Sequence, residues 1–162
     1  MRRTKTSRMA KSALALACLL GAGNFAHARK PRHASPFKFV GGTEKIPESC
    51  KGLMEVGSTV LTFTCPDGSV SVPYDSISLM QYRPDISRKI RKMKIKWEVK
   101  PQTRVRILGG NKNRYLTIVY EEQGTVHALV LDVPPEIMRP YLAEIDVKSG
   151  KRVEVEESEE YD

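Results

Sequence analysis

The chain has 162 residues, 40% of them apolar, with 27 Lys plus Arg against 19 Asp plus Glu, three cysteines and one tryptophan. That length supports one domain, and an ordinary apolar fraction excludes wholesale disorder. The longest apolar run, Ala13 to Gly23, falls short of the roughly 20 residues that span a bilayer, which excludes a polytopic membrane protein; collagenous and coiled-coil classes are excluded as well.

Residues 1–28 read as a cleaved signal peptide. Arg2, Arg3, Lys5, Arg8 and Lys11 form a basic run without an acid, and the apolar stretch follows. Phe25-Ala26-His27-Ala28 ends with small residues at the last and third-last positions, as a signal peptidase requires, so the expected cut follows Ala28 and the protein is expected in the periplasm or outside the cell. Two other readings stay open: an uncleaved N-terminal anchor, which needs a longer apolar run, and lipidation at Cys18, for which Leu16 and Leu19-Leu20 stand in poor register. Arg2-Arg3 is not followed by the apolar residues of a twin-arginine signal.

Without the five basic residues of the leader, 22 basic residues face the 19 acids, a net charge of +3 in place of +8. The high overall charge is therefore largely the leader's, and it does not indicate a nucleic-acid partner. Pro31, Pro36, Gly41 and Gly42 among basic and small residues predict a flexible basic arm over 29–45, followed by a folded domain over 46–153.

Export leaves Cys50 and Cys65 in an oxidising compartment, where two cysteines permit one intramolecular bond. Leu53 to Val56 and Val60 to Thr64 read as strands, with Gly57-Ser58 as a two-residue loop. Each cysteine then lies seven residues from its side of the loop, and the pair faces directly across the ladder. A structural disulfide is expected. Unpaired thiols remain the other possibility, while the Cys-x-x-Cys spacing of a redox pair is missing.

Pro66-Asp67-Gly68 is a predicted turn, with proline presetting the first dihedral and glycine taking a positive one. Val70 to Tyr74 makes a third strand and Tyr74-Asp75-Ser76-Ile77 a tight corner. Ile77 to Tyr82 makes a fourth, with Ile77, Leu79 and Gln81 on one face. Ile86, Ile90 and Met93 have the spacing of a short helical turn. From Lys92 to Lys100, Met93, Ile95, Trp97 and Val99 alternate with charged residues, which predicts a strand.

Thr103 to Leu108 and Arg114 to Glu121 flank a Gly- and Asn-rich loop and read as another hairpin. Glu122-Gln123-Gly124 turns the chain, and Thr125 to Val133 returns with Leu129, Leu131 and Val133 on a shared face. Pro134-Pro135 starts a helix carrying Ile137, Met138, Tyr141, Leu142 and Ile145, stopped at Ser149-Gly150. Val153 and Val155 suggest a short last strand before an acidic tail over 154–162.

These elements predict a mainly β fold: an antiparallel meander forming a partly open barrel capped by one C-terminal α-helix. Gly52-Leu53, Leu61-Thr62-Phe63, Val72-Pro73-Tyr74-Asp75-Ser76-Ile77 and Leu131-Asp132-Val133 give the chain its resemblance to the pleckstrin-homology-like superfold, with its GRAM-type relatives, and to a secreted, cysteine-bearing bacterial family built on that plan. The resemblance spans Lys51 to Lys151. It implies a binding module, and it carries no ligand with it, since that fold hosts lipid, peptide and protein binding alike.

The chemistry-bearing residues are few. His27 leaves with the leader, His33 lies in the arm, and His127 alone falls in a predicted strand, where it reads as a face residue beside Thr125. No Gly-x-Ser-x-Gly elbow, phosphate loop, dinucleotide fingerprint or metal-ligand spacing occurs. Hence no enzyme, no metal and no cofactor are expected. One feature points outward: the segment from Arg83 to Arg106 carries ten basic residues against Asp85 and Glu98. Arg88, Lys89, Arg91, Lys92, Lys94 and Lys96 are the candidate contacts for an anionic envelope polymer, a lipid surface or a secreted protein, with Tyr82 or Trp97 adding an amphipathic contact. The competing account is a solvated strand face whose tryptophan is core, and the acidic tail is a candidate to fold over the patch. The expected function is a non-enzymatic exported binding or structural module of the envelope, the alternative an accessory or inhibitor subunit of another secreted protein.

Overall fold

A computed structural model describes residues 36–102 and 114–156. The expected leader over 1–28, the first residues of the arm, the strand expected over Thr103–Leu108 and the acids of 157–162 lie outside the described residues.

The described residues form eight strands in one open sheet: β1 (Phe37–Gly42), β2 (Lys51–Val56), β3 (Val60–Cys65), β4 (Gly68–Pro73), β5 (Ile77–Arg83), β6 (Arg114–Glu122), β7 (Thr125–Val133) and β8 (Glu154–Val155). A 3-10 turn at Tyr74–Ser76 links β4 to β5. Helix α1 (Arg88–Arg91) follows β5, and α2 (Pro135–Ser149) follows β7. The spatial order is β4-β3-β2-β1-β7-β6-β5-β8, antiparallel throughout except for β8, which runs parallel to β5. The fold is thus mainly β, a partly open barrel capped by a C-terminal helix.

Strand β1 corrects the expected arm. Composition assigns residues 37–42 to a flexible segment, yet they lie at the centre of the sheet between β2 and β7. Phe37 and Phe39 are fully buried. Two aromatic side chains two residues apart on one face outweigh the flexibility of the glycines that follow.

The hairpin β2–β3 also differs in register. Gly57 N–H donates to the Val60 carbonyl at 2.9 Å, which draws Gly57 into the ladder and makes Ser58-Thr59 the loop. Leu53 therefore pairs with Thr64, and Cys65 faces Gly52 in place of Cys50. The disulfide between Cys50 and Cys65 forms all the same, with the Cα atoms 6.1 Å apart, reaching diagonally across the end of the ladder. At the β3–β4 turn, Gly68 does not adopt the expected positive φ; Pro66 and Asp67 make the turn by themselves. Gln123 and Gly124, with φ of 50° and 74°, form the tight β6–β7 turn.

Register puts two apolar clusters on opposite faces of the sheet. The larger one joins Phe37, Phe39, Met80, Tyr82, Leu116, Ile118, Leu129 and Leu131 to the inner residues of β2, β3 and β4. Helix α2 closes it with Met138 and Ile145, and the Tyr141 ring meets Phe37 edge-on at 5.0 Å. Pro135 begins α2 where a missing N–H costs nothing, and Gly150 ends it in the left-handed region, its N–H bonded to Asp146 O at 3.0 Å. The smaller cluster gathers Leu79, Val119, Ala128 and Val130 on the outer face. An irregularity between Ile77 and Leu79 sends these two residues into different clusters, against the shared face that simple alternation predicts.

Candidate functional site

The outer cluster explains the shape of the basic segment. Residues after β5 turn back across the sheet and bury Ile86, Ile90 and Ile95 on Leu79, Val119, Ala128 and Val130, with Met93 and Trp97 half-buried at the margin. Ser87 caps α1 by accepting the Ile90 N–H at 3.3 Å. One helical turn cannot hold itself in water. Its stability comes from Ile90, which is fully buried and is the side chain that seats α1 on the sheet.

The strand expected over Lys92–Lys100 is not part of the sheet. Its alternation of burial is present, with Ile95 buried and Lys92, Lys94 and Lys96 exposed, but the segment makes only one bridge, between Val99 and Gly42. The backbone pairing explains this: β1 pairs with β7 from Lys38 to Gly42 but with β2 only at Phe37 and Lys38, so the segment meets the sheet's backbone at Gly42 and otherwise lies over the face as a strap, satisfying its apolar side by packing. Its end is fastened by a reciprocal bond pair with Gly42 at 2.9 and 3.1 Å.

Arg88, Lys89 and Arg91 on α1 and Lys92, Lys94 and Lys96 on the strap are all exposed. Sequence reasoning placed the last three on a strand face; they stand on a strap, with the same consequence that the lysines face water while Ile95 and Trp97 face the sheet. Lys89 lies 3.8 Å from Glu154, and Arg91 lies 3.1 Å from Asp85. Arg88, Lys92, Lys94 and Lys96 make no ion pair with any described residue. The half-buried Trp97 packs on the outer cluster, so its role in holding the strap is visible in the structure.

A second polar group escaped sequence reasoning. His127 on β7 is not merely a face residue beside Thr125: its Nδ1 lies 3.2 Å from Thr43 Oγ1 and 3.3 Å from Glu44 Oε1. Tyr120 stacks on the imidazole at 5.2 Å and donates its hydroxyl to the same Glu44 oxygen at 2.6 Å. Burial, then the hydrogen bond and charge of Glu44, raise the Tyr120 phenol well above the usual tyrosine range. The group ties the chain after β1 to β6 and β7. No local signal announces it, because Glu44 and His127 are 83 residues apart. Among the described residues no cluster of three or more His, Cys, Asp or Glu is placed to hold a metal ion, and no helix is long and apolar enough to cross a membrane.

No protein-family model matches the chain, and a search of curated proteins finds no match either.

Proposed function

We propose that the chain is an exported, non-enzymatic binding or structural module that contacts an anionic partner through α1 and the strap. The observation that carries this reading is the sorting of side chains along one segment: its apolar residues are committed to the sheet, while Arg88, Lys89, Arg91, Lys92, Lys94 and Lys96 are all exposed. An anionic polymer or lipid surface meeting such a row releases counterions, which favours binding and makes it steeply dependent on salt. The open antiparallel sheet with its C-terminal helix supports the pleckstrin-homology-like plan as part of the same proposal. Export through residues 1–28 belongs to it too, and the Cys50–Cys65 disulfide is compatible with an oxidising location.

The test is binding to heparin and to phosphatidylglycerol vesicles over a range of salt. Replacing Lys92, Lys94 and Lys96 together by Gln should weaken binding by about tenfold or more at low salt and flatten its salt dependence. Undiminished binding by the triple variant overturns the reading. An accessory or inhibitor subunit working through an apolar interface would instead bind its partner protein with little response to salt.

A further inference from the structure

The sheet ends in two unlike edges. On one side β8 covers part of β5 and carries Glu154, a charge of the kind that keeps a further strand away. On the other side stands β4, which pairs with β3 and with no other described strand. None of the usual protections of an edge is present on β4. It has six residues without a charge, keeps an unbroken register against β3, and has its one proline at its last position.

Register decides which backbone groups β4 leaves over. Tyr74 N–H donates to Thr59 O at 3.0 Å just past the end of the ladder, so bonded pairs recur at every second residue, Val72 with Leu61 and Val70 with Phe63. The backbone N–H and C=O of Ser69 and Ser71 therefore point away from β3, and both residues are exposed. Their hydroxyls stand on the outer face, 3.0 Å from that of Thr64 and 3.1 Å from that of Thr62. Val70 and Val72 are buried on the inner face.

We propose that β4 is a dimerisation edge, occupied by β4 of a second copy of this chain running antiparallel about a twofold axis at Val70. In that register Ser69 faces Ser71 of the second copy and Ser71 faces its Ser69. The facing pairs exchange four backbone hydrogen bonds, which use every backbone group left over at these two residues. The strand is its own complement, with no charge opposite a charge: Asp67 falls opposite Pro73. The outer rows also join, Leu53-Thr64-Ser69 continuing into Ser71-Thr62-Glu55 of the second copy. A peptide from another protein fits less well, because strand addition draws its specificity from pockets for alternate side chains. Here the core closes the inner face, and the outer face offers hydroxyls that already bond to each other. A single strand pair buries less than the roughly 1,200 Å² at the low end of specific interfaces, so the dimer is weak and concentration-dependent.

Sedimentation velocity of the full chain from about 10 µM to 1 mM reads the association. Hydrogen exchange of the Ser69 and Ser71 amides over the same range reads its place. A shift from monomer to dimer is expected, with these two amides gaining protection in step. A chain still monomeric at the highest concentration, or a dimer in which the two amides exchange as fast as in the monomer, overturns the proposal. Charge then tests the register. Ser69→Lys with Ser71→Lys sets like charges opposite each other and should weaken dimerisation at least about tenfold, whereas Ser69→Lys with Ser71→Glu sets opposite charges across the axis and should restore it. The second variant, folded and dimeric, also shows that the exposed face tolerates both substitutions. Equal dimerisation by the two variants overturns the antiparallel pairing.

Discussion

Gly52 stands opposite Cys65 at the end of the β2–β3 ladder, so close that a Cβ on Gly52 would lie 2.9 Å from the Cys65 Cβ and 2.2 Å from the Thr64 carbonyl oxygen. The missing side chain lets Cys50, two residues earlier, reach Cys65 past the ladder's last pair. Gly52→Ala should therefore force the strands apart where the disulfide closes them, and urea titration should show a loss of about 1–3 kcal/mol. Reduction of the disulfide, or replacing both cysteines by Ala, should cost about 3 kcal/mol by releasing the 15-residue separation in the unfolded chain. An unchanged midpoint after complete reduction would show that the sheet alone holds this hairpin.

Ile90 is expected to control the basic face without carrying charge. Ile90→Ala leaves a cavity between α1 and the outer face of the sheet and should cost about 2–5 kcal/mol. Hydrogen exchange should show lost protection of the α1 amides and of the strap, with β6 and β7 still protected below the global unfolding limit. Heparin binding should weaken as well, because the cations would no longer be held together.

Gly41 sets the close approach of the strap's end to β1. A Cβ there would meet Pro101 at 2.7 Å from its Cβ and 2.8 Å from its backbone nitrogen. Gly41→Ala should displace Pro101 and strain the Val99–Gly42 bridge, with a cost of about 1–3 kcal/mol in denaturant titration. Gly124→Ala is a useful contrast. No atom lies within 4 Å of its would-be Cβ, so any cost there comes from the φ of 74° and not from crowding.

Alkaline stability should report on Tyr120. Its phenol is held well above the ordinary value of about 10, first by burial and then by Glu44, and burial moves the Tyr82 phenol in the same direction. A folded-state value above the unfolded one favours the folded chain fully while both states are protonated. That contribution is lost as pH rises above about 10, where the unfolded state begins to ionise and the folded state cannot. Stability should thus fall with pH from about 10 upward. Tyr120→Phe should cost about 1–2 kcal/mol at neutral pH and make the alkaline fall shallower. An identical alkaline slope in wild type and variant would exclude Tyr120 as a contributor.

Period-two and period-3.6 patterns carried most of the architecture. The strands over 53–56, 60–64 and 125–133, the helix ending at Gly150 and the short strand at 154–155 are all legible in the sequence, because each is specified by local alternation, a turn residue or a cap. The pairing of Cys50 with Cys65 was legible for a similar reason, since two cysteines flanking a hairpin have few other places to go. Its register was not, because a shift of one residue in the loop depends on the bond between Gly57 and Val60 and on Tyr74, whose hydroxyl donates to the Gly57 carbonyl at 2.9 Å.

The segment over 92–100 marks the boundary between the two kinds of information. Alternation specifies which side chains seek water and which avoid it, and that sorting holds: Ile95 is buried and the lysines are exposed. Alternation does not specify what the backbone pairs with. That was settled by β1, a strand hidden from composition by Pro36, Gly41 and Gly42, which joins β7 to β2 inside the sheet and offers the strap a backbone partner at Gly42, while the strap's apolar side chains pack on the outer face. Contacts such as Glu44 with His127, Glu154 with Lys89 and Glu156 with Arg83 join residues far apart in the chain. Residue identity states what each of these groups can bond to; the path of the backbone brings the partners within reach, because a hydrogen bond or ion pair acts over only a few ångströms and no local pattern encodes a distance across the fold.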